Sequence, residues 1–280
     1  MLRAVTIPAS VTDIGANPFP WAELQLDSRN GAFTLNDGML ISRDDHRLVA
    51  AVPGTGANSL VPEGTETIGD YAFYYFTAGQ SCRIVVPDSV GVIGRNAFHG
   101  CRCQITIPAG IRKIGAYAFA SCEFLSDLPA FRDGIEIGTG AFTQCNGIEK
   151  LTVDGGTAIG QGAFAICDNL REIRIGEGAS RVVASAFSDC PALEKAEFGE
   201  GLSFIGSGVF SRCDSLQAVS LPESLSYISE NALMNQMIRE YNEEYMVMIT
   251  RMASTVHATV NAGSTAELYC KEYGIEYTAR

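Results

Sequence analysis

The stretch Ile107-Pro108-Ala109-Gly110-Ile111-Arg112-Lys113-Ile114-Gly115-Ala116-Tyr117-Ala118-Phe119-Ala120-Ser121-Cys122 decides the fold. Its centre, Ile-Gly-x-x-Ala-Phe, recurs along the chain. Whole copies are Ile68-Gly69/Ala72-Phe73, Ile93-Gly94/Ala97-Phe98, Ile137-Gly138/Ala141-Phe142 and Ile159-Gly160/Ala163-Phe164. Looser copies are Val182-Val183/Ala186-Phe187, Ile205-Gly206/Val209-Phe210, Ile228-Ser229/Ala232-Leu233 and an early Ile14-Gly15/Pro18-Phe19. From Phe73 the last position moves to 98, 119, 142, 164, 187, 210 and 233. A fixed step near 23 residues marks stacked structural units rather than one compact core.

Each copy follows an apolar-x-x-apolar-x-apolar run, often closed by proline. Leu2/Val5/Ile7 before Pro8 and Leu216/Val219/Leu221 before Pro222 show it, as do Leu125/Leu128/Ala130, Ile148/Leu151/Val153, Leu170/Ile173/Ile175 and Leu193/Ala196/Phe198. Alternation over its second half predicts a short strand with apolar side chains inward. Proline ends the strand by removing a ladder donor. The Gly after Ile predicts a tight bend, and one Phe per coil predicts an interior aromatic spine. A solenoid follows, because a single coil cannot bury its own apolar side.

Six of nine cysteines, Cys101, Cys122, Cys145, Cys167, Cys190 and Cys213, lie three residues after the repeat's Phe. One reading is a metal ladder or disulfides between coils. The favoured reading is a buried small side chain filling one repeated slot, because zinc needs four ligands converging on one point. Cys82 and Cys103 fall on equivalent strand positions of adjacent coils, read as outward. They are the pair to bridge if any bridge forms. Cys270 stands apart.

The beat divides the chain. Residues 1–19 read as a partial repeat, 20–59 as a β-hairpin insertion with a meander over 31–52, 60–233 as tandem repeats, and 234–280 as a helical connection and cap. Helix formers in Met234–Met252 predict a helix or mixed connection there. Thr255–Val260 reads as a strand. Ser264-Thr265-Ala266-Glu267 is a capping-box start to a short helix ended by Gly274. The N-terminus reads as mid-repeat and has no long apolar run of a signal peptide. The chain is therefore expected to be part of a longer protein.

Composition sets the remaining bounds. The net charge is −12, from 32 acidic and 20 basic residues. Such a chain repels phosphate backbones, so nucleic acid is a poor partner. No window reaches the roughly 20 apolar residues of a membrane span. His46, His99 and His257 are far apart, and Gly54-Thr55-Gly56 lacks the context of a dinucleotide loop. Asn36-Asp37-Gly38 and Asp44-Asp45 lack calcium-loop spacing. No catalytic, metal or cofactor residue is assigned.

The beat Ile-Pro-x-x-Val-x-x-Ile-Gly-x-x-Ala-Phe-x-x-Cys resembles the BspA-like leucine-rich repeats. Ile7-Pro8…Val11…Ile14-Gly15 and Ile107-Pro108…Ile111…Ile114-Gly115…Ala118-Phe119…Cys122 carry the resemblance, with the Phe33–Ser42 hairpin and the closing Gly263–Ile275 cap. It departs at Val183 and Ser229, where Gly is lost. The resemblance implies a β-rich leucine-rich-repeat solenoid with short strands, few helices and a β-α-β-like cap. It also implies a surface or secreted bacterial protein associated with adhesion to host or neighbouring-cell proteins, expected as a monomer. The outward strand row is the expected interaction face: Arg83, Gln104, Thr106, Glu149, Lys150, Thr152, Arg171, Glu172, Arg174, Glu194, Lys195, Glu197 and Gln217. A protein partner on that face is the leading expectation. The alternatives are a spacer that presents another domain, or a glycan-binding or hydrolytic module. The row lacks the Tyr, Trp and Arg clustering of strong hot spots.

Overall fold

The computed structural model describes residues 4–19, 22–52, 58–78, 82–131, 134–242 and 247–280, without side chains at 58–59 and 238–252. Leu2 and Gly54-Thr55-Gly56 lie outside the described residues. The repeat produces two strand rows rather than one. In the first row, Asn58–Leu60, Arg83–Val85 and Gln104–Thr106 pair in parallel. Lys150–Val153, Glu172–Ile175, Lys195–Phe198, Ala218–Ser220, His257–Val260 and Tyr277–Ala279 form a second parallel set in that row. The second row consists of two-residue strands ending on the Ile of Ile-Gly. Its in-register ladder runs Ile68, Ile93, Ile114, Ile137, Ile159, Val182, Ile205 and Ile228.

Phe73, Phe98, Phe119, Phe142, Phe164, Phe187 and Phe210 are fully buried between the rows. Their rings stack, with centroid steps of 4.8, 5.1, 5.1, 4.9, 5.7 and 6.1 Å. The glycine of Ile-Gly serves close approach, not a left-handed bend. A Cβ on Gly115 would stand 2.6 Å from the Gly94 carbonyl carbon, and one on Gly160 2.7 Å from that of Gly138. Left-handed backbone falls instead two residues either side of the Phe, as at Tyr117 (φ 56°) and Ser121 (φ 59°) around Phe119. There the N–H groups alternate between the coil ahead and the residue three back: Phe119 donates to Ala141 and Ala120 to Tyr117.

The cysteine slot has a definite bond. The thiols of Cys122, Cys145, Cys167, Cys190 and Cys213 donate to the carbonyls of Phe98, Phe119, Phe142, Phe164 and Phe187 in the preceding coil, at 3.0–3.2 Å. Each thiol meets backbone, so the slot is structural.

Cys82 and Cys103 are bridged, with Cα atoms 4.8 Å apart. They are buried, not outward. The coils carrying them run Cys82-x-Ile84-x-Val86 and Cys103-x-Ile105-x-Ile107, a strict alternation that turns the cysteines to the same side as the buried Ile84 and Ile105.

The ends depart further from expectation. Over the residues read as a meander, Phe33–Asn36, Met39–Ser42 and Arg47–Ala51 run antiparallel, and the last joins the second row beside Thr67–Ile68. Glu23–Leu26 pairs in parallel with Ala4–Ile7, so residues read as insertion contribute a coil strand. The Asn17 amide donates to the carbonyls of Tyr71 and Ala72, seating the early copy against the Phe73 coil. Met234–Met252, expected as a helix or mixed connection, instead carries the antiparallel strands Gln236–Asn242 and Val247–Ala253. Ile238, Tyr241, Val247, Ile249 and Thr250 favour pleated backbone, and this outweighs the helix formers between them. The helix Thr265–Tyr273 follows the Ser264 cap, whose Oγ accepts from Glu267 N–H, and ends at Gly274 in left-handed conformation (φ 64°).

Candidate interaction face

The expected face is exposed or half-exposed at all thirteen positions, but it is split. Glu149, Lys150, Thr152, Arg171, Glu172, Arg174, Glu194, Lys195, Glu197 and Gln217 lie on or beside the strands from Lys150 onward. Arg83, Gln104 and Thr106 lie on the earlier set. Between them the coil after Cys122 forms no first-row strand among the described residues, where a bridge from Phe131 to Val153 is its remaining first-row link. The pattern Leu125/Leu128/Ala130 predicts a strand here. Pro129 sits within that run rather than after it, and lacks the N–H a ladder needs.

The longer part of the face pairs its charges internally. Register places Lys150, Glu172 and Lys195 side by side, and Thr152, Arg174 and Glu197 beside them. Lys150 Nζ lies 3.2 Å from Glu172 Oε2 and Arg171 Nη1 lies 3.1 Å from Glu194 Oε1. Lys195 pairs with Glu197. Exposed pairs of this kind contribute at most about 1 kcal/mol each. Arg174 has no ion-pair partner among the described residues. It borders a groove of about 1200 Å³ lined by Gly155, Gly156, Gly176, Gly178 and Gly199, by Arg280, and by the carboxylates of Asp154, Glu177, Glu197 and Glu200. Glu200, also in the groove, is held below the usual carboxylate range by the N–H groups of Glu223 and Ser224, each donating at 3.1 Å. A glycosidase acid needs the opposite shift.

Two aromatic groups escaped the sequence reading because they lie off the strand row. On the turn side Tyr71, Tyr74, Tyr75 and His99 cluster with ring centroids 4.7–5.4 Å apart. On the second row the Arg181 guanidinium covers Phe204 at 4.6 Å, and Phe204 stacks on Tyr227 at 5.2 Å. The adjacent Tyr74-Tyr75 and the 23-residue offsets of 181, 204 and 227 were the available signals.

Two strand rows, a stacked Phe spine and a thiol-to-carbonyl ladder define a leucine-rich-repeat solenoid. The model of the BspA type leucine rich repeat region matches residues 57–157 and 135–247, in six copies. The chain belongs to that family. Among solved structures it is similar to a leucine-rich repeat protein from Eubacterium ventriosum, with TM-score 0.60 and 20% identity over 86% of this chain and 60% of that one. It is also similar to the T. pallidum leucine rich repeat protein, with TM-score 0.50 and 26% identity over 66% of this chain and 86% of that one. This chain thus spans less than two thirds of the Eubacterium protein. At 20% identity that likeness is one of fold. No curated protein matches the chain. Among the described residues no helix is long and apolar enough to cross a membrane.

Proposed function

We propose that this chain is a non-catalytic protein-binding scaffold of a bacterial cell-surface or secreted protein, acting in adhesion through its first strand row. The carrying observation is Arg174: an exposed guanidinium without an ion-pair partner among the described residues, at the rim of a glycine-lined groove and beside strands whose Lys150, Arg171, Glu172, Glu194, Lys195 and Glu197 pair with one another. A partner carboxylate meets it there without first breaking an internal pair, and Arg is enriched at binding hot spots. The Cys82–Cys103 bridge supports an oxidising location. The surface assignment otherwise extends what the family resemblance implies.

The test is saturable binding of the purified chain to host matrix proteins and to co-resident bacterial cells. Arg174→Glu should weaken it more than Arg171→Glu, because Arg171 is already paired with Glu194. The internal pairing of the row favours one alternative, a spacer that presents another domain. That reading predicts no saturable binding by this chain, whereas the longer protein binds.

A further inference from the structure

The break in the first row leaves an open strand edge. Gln104 N–H donates to the Cys82 carbonyl at 2.9 Å, and the Thr106 carbonyl accepts from Val86 N–H at 3.2 Å. Both therefore bond toward Arg83–Val85. Alternation in a parallel ladder turns the N–H and C=O of Ile105 the other way, into the break. Among the described residues no backbone group of the following coil bonds them, and residues 126–130 make no backbone hydrogen bond across the gap. Between the two walls lies a cleft of about 280 Å³. Ile105 and Leu128 give it an apolar floor, and Phe124, half exposed, stands at its rim. Arg83 borders it on one side without an ion-pair partner among the described residues, and Asp127 on the other.

We propose that this cleft binds an extended segment of a partner protein as an added parallel strand beside Gln104–Thr106. Unpaired, evenly spaced backbone groups on a sheet edge recognise another strand and little else. The Cys82–Cys103 bridge fixes the receiving pair of strands, so less ordering cost falls on binding. The two lone charges fix the side chains. A segment in register places an acidic side chain beside Gln104, within reach of Arg83, an apolar one against Ile105, and a basic one beside Thr106, toward Asp127. The inference rests on the protein-binding reading above and names the kind of partner, but uses a different part of the face.

The probe is the blocked peptide Asn-Leu-Arg-Glu-Ile-Arg-Ile-Gly. It copies residues 169–176, a strand this fold already stacks, and carries the acidic–apolar–basic order required. Saturable binding to the full chain is expected, with slowed hydrogen exchange at the Ile105 and Ile107 amides. N-methylation of the Arg that follows the peptide's central Ile, whose N–H faces the Ile105 carbonyl in this register, should abolish it. Arg83→Glu should weaken it about fivefold, the scale of an exposed pair, and a peptide with Glu changed to Arg should recover the loss on that variant. No saturation up to about millimolar peptide, equal binding of the N-methylated peptide, or protection away from the cleft would each overturn the proposal. So would protection of Ile105 that appears without peptide as the protein is concentrated, since a second copy then fills the edge. Arg174→Glu lies outside the cleft and should leave peptide binding unchanged, so failure here and failure of the Arg174 test are separable.

Discussion

The thiol of Cys145 donates to the carbonyl oxygen of Phe119, 3.0 Å away and one coil earlier. That carbonyl also accepts from Cys122 N–H at 3.1 Å, so the thiol fills its second lone pair. Cys145→Ala removes both the bond and the packing of a fully buried side chain. The expected loss is about 1–2 kcal/mol in denaturant unfolding. A neutral result would mean that the slot only excludes volume.

The same burial makes the ladder inert. It pushes the thiols of Cys101 and Cys145 up to about 12 and that of Cys122 upward; at Cys167 a hydrogen bond with Cys190 raises the thiol first and burial adds to it, while Cys190, bonded by Cys167 and Cys213, is held low at about 5. A raised thiol pKa means vanishing thiolate near pH 8, and thiolate is the reacting form. All seven free cysteines are buried, so alkylation of the native chain at pH 8 should label none of them, Cys190 included because no reagent reaches it, and denaturation should release all seven. Fast native labelling at any ladder position would contradict the packed spine.

Phe164 is fully buried, with Phe142 at 4.9 Å and Phe187 at 5.7 Å. Phe164→Ala should cost about 3–5 kcal/mol. Because each coil contacts mainly its neighbours, a broadened unfolding transition is expected as well. Full retention of stability would remove the stack as a source of cohesion.

These interior positions are the part of the fold legible in sequence, because every coil imposes the same demand on Phe, Cys and the Ile of Ile-Gly. Three things were not legible. The second-row strands are two residues long, too short for alternation to register. The break after Cys122 hides under an intact apolar pattern, because Leu125, Leu128 and Ala130 satisfy the spacing while Pro129 denies the ladder. The proposed interaction face is the least legible, because no repeated demand acts on outward positions: Arg83 and Arg174 read like any other charge until their neighbours are seen to be paired.

Ile166 adopts left-handed backbone (φ 59°) although it is β-branched, held by its N–H bond to the Ser188 carbonyl at 2.9 Å. The equivalent position is Gly100 in another coil. A left-handed β-branched residue carries about 1–2 kcal/mol of strain. Ile166 is 39% exposed, so little burial offsets it. Ile166→Asn, which tolerates this conformation, should raise stability by about 1 kcal/mol. A fall in the unfolding midpoint would show that the side chain's contacts outweigh the strain.

Removal of the Cys82–Cys103 bridge by a double serine variant should cost about 3 kcal/mol, the loop-closure value for a 21-residue separation. The effect should concentrate in the coils around Arg83–Val85 and Gln104–Thr106, read by hydrogen exchange. Peptide mapping without reductant should recover the linked pair, and its absence would leave the two strands unstapled.

The last prediction turns on the one interior glycine position already replaced within the full Phe stack. Val183 N–H bonds the Ile159 carbonyl at 3.2 Å, where Gly115, Gly138 and Gly160 make the same bond at 2.8–2.9 Å. The ring steps on either side of Phe187 are 5.7 and 6.1 Å, against 4.8–5.1 Å earlier. A side chain after the repeat's Ile thus coincides with coils that stand further apart. Gly160 faces the tight regime, with its Cβ direction aimed at the Gly138 carbonyl carbon 2.7 Å away. Gly160→Ala forces backbone against backbone and should cost about 1–3 kcal/mol, the scale of overpacking. Val183→Ala acts where the spacing has already opened and the side chain is half-exposed, and should change stability by no more than about 0.5 kcal/mol. Equal effects at the two positions would mean that coil spacing does not depend on this residue. A large loss at Gly160 with little change at Val183 would identify the glycine as the residue that sets the spacing of the stack.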